Sequence, residues 1–375
     1  MDFNTTDEQT MLRNTVSRYL ADTYSFDARM KAVNAGGWNP AVWKVFAEEL
    51  GILGAPFAEG HGGLGGGAIE NMIVMEEVGR ALVIEPYLGT VVIAGGALKA
   101  TGGALADAVI PEIIAGNAII AFAYAEPQGR YNLADLRTTA KQDGAGHVLN
   151  GHKSVVYSAP YATHYLVTAR SGGAQRDKDG VSLFLIPADL KGITRRDYPT
   201  VDGSAASEVY FENVAVGAEH RLGGDGTALP LIEQIVDEGT AAICAEACGV
   251  TRVLHATTLD YAKQRKQFGK AIGEFQVIQH RLVDMFMEVE QAVSITLMAT
   301  LKLDTVERAA AVSAAKSKVG KACKFVGQNA VQIHGGIGIS NELAVGHYFK
   351  RATMIEGQFG SVDQHLRRYE RIVIG

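Results

Sequence analysis

The sequence predicts an α+β protein in three parts: an N-terminal helical domain, a middle antiparallel β domain and a C-terminal helical bundle domain. Apolar residues recur at helical spacing in the first part, and from about Asn117 the pattern switches to short segments rich in β-branched and aromatic residues. Beyond Gly226, long apolar stripes at helical spacing return. These changes of period place the expected boundaries at 1–116, 117–226 and 227–375.

The first helix is signalled by Thr6 and Gln9, spaced as a capping box in which each side chain satisfies the other's backbone N–H. Met11, Leu12, Val16, Tyr19 and Leu20 then recur on one face. WNPAVWKVFAEELG and AIENMIVMEEVGRAL read as further helices. In the middle part AIIAFAYAEP, LRTTAKQD, HVLNGHKSVVY, HYLVTARS, VSLFLIP, ITRRDYP and SEVYFENVAV are separated by Gly, Asp or Pro turns, the pattern of a small antiparallel sheet. In the last part Ile278, Leu282, Met285, Val289 and Ala292 or Val293 form one long stripe, and a second long helix is expected over residues 306–332. Long antiparallel helices of this kind make a bundle and leave apolar surface for subunits to share.

Composition excludes several classes. With 47% apolar and 20% charged residues the chain can bury a large core, and a net charge of -6 leaves no surplus to neutralise the phosphates of a nucleic acid. The three cysteines supply no disulfide framework; Cys244 and Cys248, one helical turn apart, read as small core residues, and no metal site is expected. The opening MDFNTTDEQTMLRNTVSRYL carries Asp2, Asp7 and Glu8 and no apolar core after a basic start, so no signal peptide is expected and the expected location is cytoplasmic. No apolar run reaches the roughly 18 residues that cross a bilayer, and no membrane partner is expected. Gly60, Gly62 and Gly65 in GHGGLGGG match G-x-G-x-x-G, yet a helix end and a Pro56 turn precede them instead of a strand. They are expected to form a loop and not a dinucleotide fingerprint.

Two C-terminal segments are more specific. QRKQFGKAIGEFQVIQHRLVDM holds Arg265, Phe268, Gly269, Phe275 and Gln276, and AVQIHGGIGISNELAVGHYFKRA holds Gln332, Gly335, Gly336, Gly338 and Glu342. Together they resemble the flavin-dependent acyl-CoA dehydrogenases, and the helical, β, helical order carries the resemblance over the whole chain. The resemblance implies an acyl-CoA dehydrogenase-like fold with a C-terminal four-helix bundle and an FAD lying between subunits. Arg265 would offer its charged fork to the pyrophosphate, and Gly335 and Gly336 would let backbone approach the cofactor. Gln276 and Gln332 would hydrogen-bond the adenosine half, and Phe268 would pack against it. The implied reaction belongs to fatty acid β-oxidation: the flavin takes a hydride from the β-carbon of an acyl-CoA while a carboxylate takes the α-proton, giving a trans-2-enoyl-CoA. Electrons would leave to an electron-transferring flavoprotein.

The chain departs from the family's pattern at its centre. Aligned without gaps from Gly335, the usual catalytic glutamate position is Phe359, and the alternate position on the helix before Arg265 is Gly239. Glu238 is adjacent, but one residue turns about 100° around a helix. In the β domain the family's Thr-Glu-Pro-Gly-x-Gly-Ser appears as AEPQGRY, so Ala125, Arg130 and Tyr131 replace the Thr, Gly and Ser, while Glu126 and Pro127 persist. Val155 and Tyr157 stand where tryptophan and threonine flank the flavin ring.

A chain that keeps what it lends to a neighbour's FAD, but loses what its own FAD needs, is similar to the small-subunit branch named for pimeloyl-CoA dehydrogenase. That branch is related to two-gene enzymes acting on bulky thioesters such as steroid side chains, and implies a heterotetramer whose partner supplies the carboxylate. Two other readings compete. One is a homotetramer with its base relocated to Glu356 or, less well placed, Asp363 or Glu238, although Arg351, Arg367 and Arg368 are near enough to pair with such acids. The other is a flavin-free scaffold that binds acyl-CoA or a protein. A flavin oxidase or nitroalkane-type enzyme on this fold would also need a carboxylate. His280 and His334 are not bases in the family, and His334 is expected to hydrogen-bond at the helix end before Gly335.

Overall fold

The computed structural model describes residues 5–375, so Asp2 lies outside the described residues. In chain order come α1 (Asp7–Thr23), α2 (Phe26–Asn34), α3 (Pro40–Glu48), α4 (Ala68–Ala81), α5 (Gly95–Thr101) and α6 (Gly103–Ile114). Next are β1 (Ile120–Ala123), β2 (Thr139–Asp143), β3 (Gly146–Tyr157), β4 (His164–Arg170), β5 (Val181–Pro187), β6 (Ile193–Pro199), β7 (Ala205–Val216) and β8 (Arg221–Leu222). The chain closes with α7 (Leu229–Gln264), β9 (Lys266–Gln267), β10 (Lys270–Ala271), α8 (Gln276–Leu301), α9 (Arg308–His334), α10 (Ala344–Gly357) and α11 (Val362–Val373).

These elements form two compact units. One gathers the N-terminal stretch to Lys31, Ala68–Val83 and Thr240–Gly375; the other gathers Ala32–Gly67 and Ile84–Gly239. In the first unit the predicted capping box is present on α1, with both Thr6–Gln9 hydrogen bonds made. Arg13 ties α1 to α4 through Glu76 at 2.8 Å and Glu77 at 3.0 Å. Small residues let α4 and α7 approach closely: a Cβ on Gly79 would lie 2.0 Å from the Glu246 carbonyl oxygen. The predicted stripe on α8 buries Leu282, Met285, Val289 and Ala292, and α9 packs against α8, α10 and α11. All three cysteines are buried.

In the second unit seven strands run in the order β6-β7-β3-β2-β4-β5-β8, with β1 added beside β4. The hairpin pairings are antiparallel, as the turn signals imply, but β1 pairs with β4 in parallel because a long connection rather than a tight turn joins them. Leu149, Tyr165, Val167, Phe184 and Phe211 fill the core. The glycine cluster is a loop following short 3₁₀ turns, without a preceding strand. Gly63 is needed for packing, since a Cβ there would lie 2.2 Å from the Phe57 carbonyl oxygen. A buried ion pair joins Lys153 of β3 to Glu126 at 2.7 Å. Among the described residues no helix is long and apolar enough to cross a membrane, and no cluster of three or more His, Cys, Asp or Glu could hold a metal.

Candidate functional site

The two C-terminal motifs meet at the ends of α7 and α9. Tyr261 stacks on His334 with ring centroids 4.3 Å apart, which brings the exit of α7 beside the exit of α9. His334 is spent on this junction: its Nδ1–H donates to the Ala330 carbonyl at 2.8 Å. Past Gln264 the chain turns through the β9–β10 hairpin, whose base is closed by the Ile272 N–H donating to the Arg265 carbonyl at 2.8 Å. Arg265 is exposed, and its guanidinium has no partner among the described residues. Gln276 opens α8 and Gln332 lies near the end of α9, both exposed. Gly335 stops α9 at φ +67°, and a Cβ on Gly335 or Gly336 would meet nothing within 4 Å. This edge therefore offers a free cation, two amides and bare backbone, a donor set suited to a diphosphate-bearing cofactor.

The second feature is the turn between α10 and α11. Phe359 is half-buried with φ +57° and Gly360 follows at +125°. Two buried side chains fix this turn. Lys316 of α9, fully buried, donates through Nζ to the Glu356 and Gly360 carbonyls, each at 2.7 Å. His365 pairs with the Phe359 carbonyl at 3.1 Å. Burial, reinforced by the nearby Lys316 charge, pushes the imidazole down to about 4, so it is neutral and donates through Nε2. Sequence reasoning missed both residues, although Lys316 carries a signal: it falls on the same helical face as Val312, Val319 and Cys323, an apolar stripe where a lysine must find acceptors.

The structure places Glu356 in the last turn of α10. α10 ends at Gly357, so Glu356 and Phe359 do not share a helical face, and the Glu356 carboxylate accepts the Val362 N–H at 3.0 Å to cap α11. Of the three arginines expected to be able to pair with it, Arg351 grips Glu246 at 2.5 and 2.7 Å, and Arg368 donates to Ser313 at 3.5 Å. Asp363 is exposed in the first turn of α11. In the other unit Gly239 is buried in α7, while the neighbouring Glu238 accepts from Gln234 Nε2 at 3.0 Å and packs against Gly96.

The β-unit positions at which the resemblance would place a flavin carry side chains that differ from the family's pattern. Arg130, where the family has glycine, is exposed at φ +48°. Glu126 points away from the surface and holds Lys153 together with the Arg137 and Thr138 N–H groups. Tyr131 and Tyr157 both lie near Tyr124, whose phenol is pushed up by burial and further by these two neighbours. Ala125 offers no hydroxyl where the family's pattern has threonine, and Arg130 and Tyr131 are larger than the glycine and serine they replace. Val155 sits at φ +52° in a β-bulge of β3, a costly conformation for a β-branched residue. Val155→Asn is accordingly expected to stabilise the purified chain by about 1 kcal/mol in urea unfolding; a loss of stability would show that Val155 packing outweighs the strain.

Three family models match in succession: the acyl-CoA dehydrogenase N-terminal domain over residues 6–117, the middle domain over 121–214 and the C-terminal domain over 226–373. The chain belongs to the acyl-CoA dehydrogenase family. Acyl-CoA dehydrogenases are FAD-dependent oxidoreductases. This member is 32% identical to a probable acyl-CoA dehydrogenase, YngJ, of Bacillus subtilis strain 168, over 95% of each chain. It superimposes on a chain of the ChsE4–ChsE5 complex from Mycobacterium tuberculosis with TM-score 0.91 and 25% identity, covering 100% of this chain and 99% of that one. It is also similar to a Tcur3481–Tcur3483 steroid acyl-CoA dehydrogenase variant, with TM-score 0.88 and 26% identity over 98% of each chain.

Proposed function

We propose that this acyl-CoA dehydrogenase is the subunit lacking the usual carboxylate in a two-subunit enzyme, with domain boundaries after residues 116 and 226. The observation that carries the reading is Phe359 at the base position, in a turn that Lys316 and His365 hold in place. A phenyl ring accepts no proton, so a second subunit must bring the base. Arg130 and Tyr131 on the β unit favour the same conclusion, because they stand where the family's pattern has glycine and serine. That two similar structures are named for pairs of subunits agrees with it, and one of them is named for a steroid substrate.

In this reading Arg265, Phe268, Gln276, Gln332, Gly335 and Gly336 are lent to the partner's FAD. When bound, FAD supplies the acceptor for the substrate hydride. Arg265 compensates the diphosphate charge, the two glutamines orient the adenosine half, and Gly335 and Gly336 admit it. The substrate is an acyl-CoA thioester, the product its trans-2-enoyl counterpart, and the electron acceptor an electron-transferring flavoprotein. A self-sufficient homotetramer using Glu356 is disfavoured, since that carboxylate already caps α11. A flavin-free scaffold has no use for an unpaired arginine beside bare glycine backbone.

Flavin stoichiometry tests the reading. The chain purified alone is expected to carry no FAD by absorbance, and the complex with a dehydrogenase subunit encoded beside it is expected to carry one FAD per pair of chains. One FAD per chain in the lone protein would refute the half-site and return Glu356 to consideration.

A further inference from the structure

The β9–β10 hairpin contains a costly detail. Its two-residue loop is Phe268–Gly269, with φ +53° and +81°, so both positions are left-handed. Tight hairpin turns of this kind favour Asn-Gly, because asparagine tolerates the left-handed region and a bulky aromatic does not. Phe268 nevertheless occupies the first position, and its side chain gains nothing from burial: the residue is 93% exposed. A strained backbone that displays an apolar ring to solvent is explained by what the ring meets outside the chain.

The ring is also braced from below. Phe275 stands edge-on to Phe268, with centroids 6.2 Å apart and planes at 88°. The Lys270 ammonium lies 4.4 Å from the Phe275 centroid. Phe275 is itself fixed where the chain enters α8, its N–H donating to the Ile272 carbonyl at 3.1 Å, and Glu274 accepts the Ala271 N–H at 3.2 Å. Lys270, Phe275 and Phe268 thus form one pile on a closed hairpin that begins at Arg265.

We propose that Phe275 and Lys270 are positioning residues that hold the Phe268 ring ready for a planar heteroaromatic ligand whose diphosphate Arg265 engages. The proposal rests on the reading that this edge serves a neighbouring subunit's FAD, and deepens it by naming how the ring is aimed. Phe275 contributes the edge-to-face support, and Lys270 fixes the Phe275 plane by cation–π attraction.

The test uses the flavin-containing assembly as it purifies and measures FAD retention on dilution. Phe275→Leu is expected to weaken retention about tenfold, with Phe275→Tyr restoring it to within about twofold because the ring is kept. Lys270→Met, which leaves the hairpin backbone intact, is expected to weaken it about threefold without changing Tm. Phe268→Asn should separate strain from use: the flavin-free chain melts at a higher temperature, while the assembly holds FAD less tightly. If Phe275→Leu and Lys270→Met both retain FAD like the wild type while Arg265→Ala loses it, the positioning role is wrong and the lent site stands. If Arg265→Ala also retains FAD, the lent site is wrong and the positioning role falls with it.

Discussion

Glu356→Gln is expected to leave turnover of the mixed complex within about twofold of the wild type, whereas converting the partner's catalytic carboxylate to its amide should lower it roughly 10³-fold, within the range for losing a general base. The amide is the informative substitution because its carbonyl oxygen can still accept the Val362 N–H, so the cap on α11 survives while the proton acceptor is removed. Truncation with Glu356→Ala would confound the result, since losing the acceptor of the Val362 N–H costs about 1 kcal/mol by itself. Steady-state oxidation of an acyl-CoA by the purified complex is the measurement. A collapse with Glu356→Gln at unchanged Tm would give the base role to this chain, and an active complex after loss of the partner's carboxylate would do the same.

The sequence made the architecture legible where local signals agree with tertiary packing. The Thr6–Gln9 box, the stripe from Leu282 to Ala292 and the separated strand segments needed only periodicity and turn chemistry. Phe359 was legible as a break in the pattern, but not the shape of its turn. Glu356 is helical, but α10 ends at Gly357, and Phe359 is left-handed in a turn that Lys316 and His365, distant or later in the chain, hold in place. The strain at Arg130, Val155, Phe268 and Phe359 was invisible for the same reason: each side chain is ordinary in composition, and only the backbone angle shows what the fold demands of it. The bracing of Phe268 by Phe275 and Lys270 likewise depends on a hairpin that brings the three together.

Lys153→Met is expected to destabilise the β unit by roughly 3–5 kcal/mol at neutral pH, because it strands a buried carboxylate. In the wild type the Lys153 ammonium, fully buried, donates to Glu126 at 2.7 Å, Thr168 Oγ1 at 3.0 Å and the Tyr124 carbonyl at 3.3 Å. Burial pulls Lys153 down to about 8 against the attraction of Glu126, which leaves it charged at neutral pH. Burial alone would raise the Glu126 carboxyl, but Lys153, Gln128 and the Arg137 N–H outweigh it and bring the group to about 2, below its ordinary 4.5. A depressed carboxyl stabilises the fold above its unfolded value and loses that contribution as the pH falls through the folded one. The wild type should therefore lose about 3 kcal/mol between pH 4.5 and 2 from this group. In Lys153→Met burial acts against only the weaker hydrogen bonds, so the carboxyl returns toward or above its ordinary range and the acid-dependent loss shrinks. Urea midpoints measured from pH 7 down to 2 compare the two proteins directly. A variant that keeps the wild-type pH dependence would show that Gln128 and the backbone donors hold Glu126 down without Lys153, which then contributes packing rather than charge.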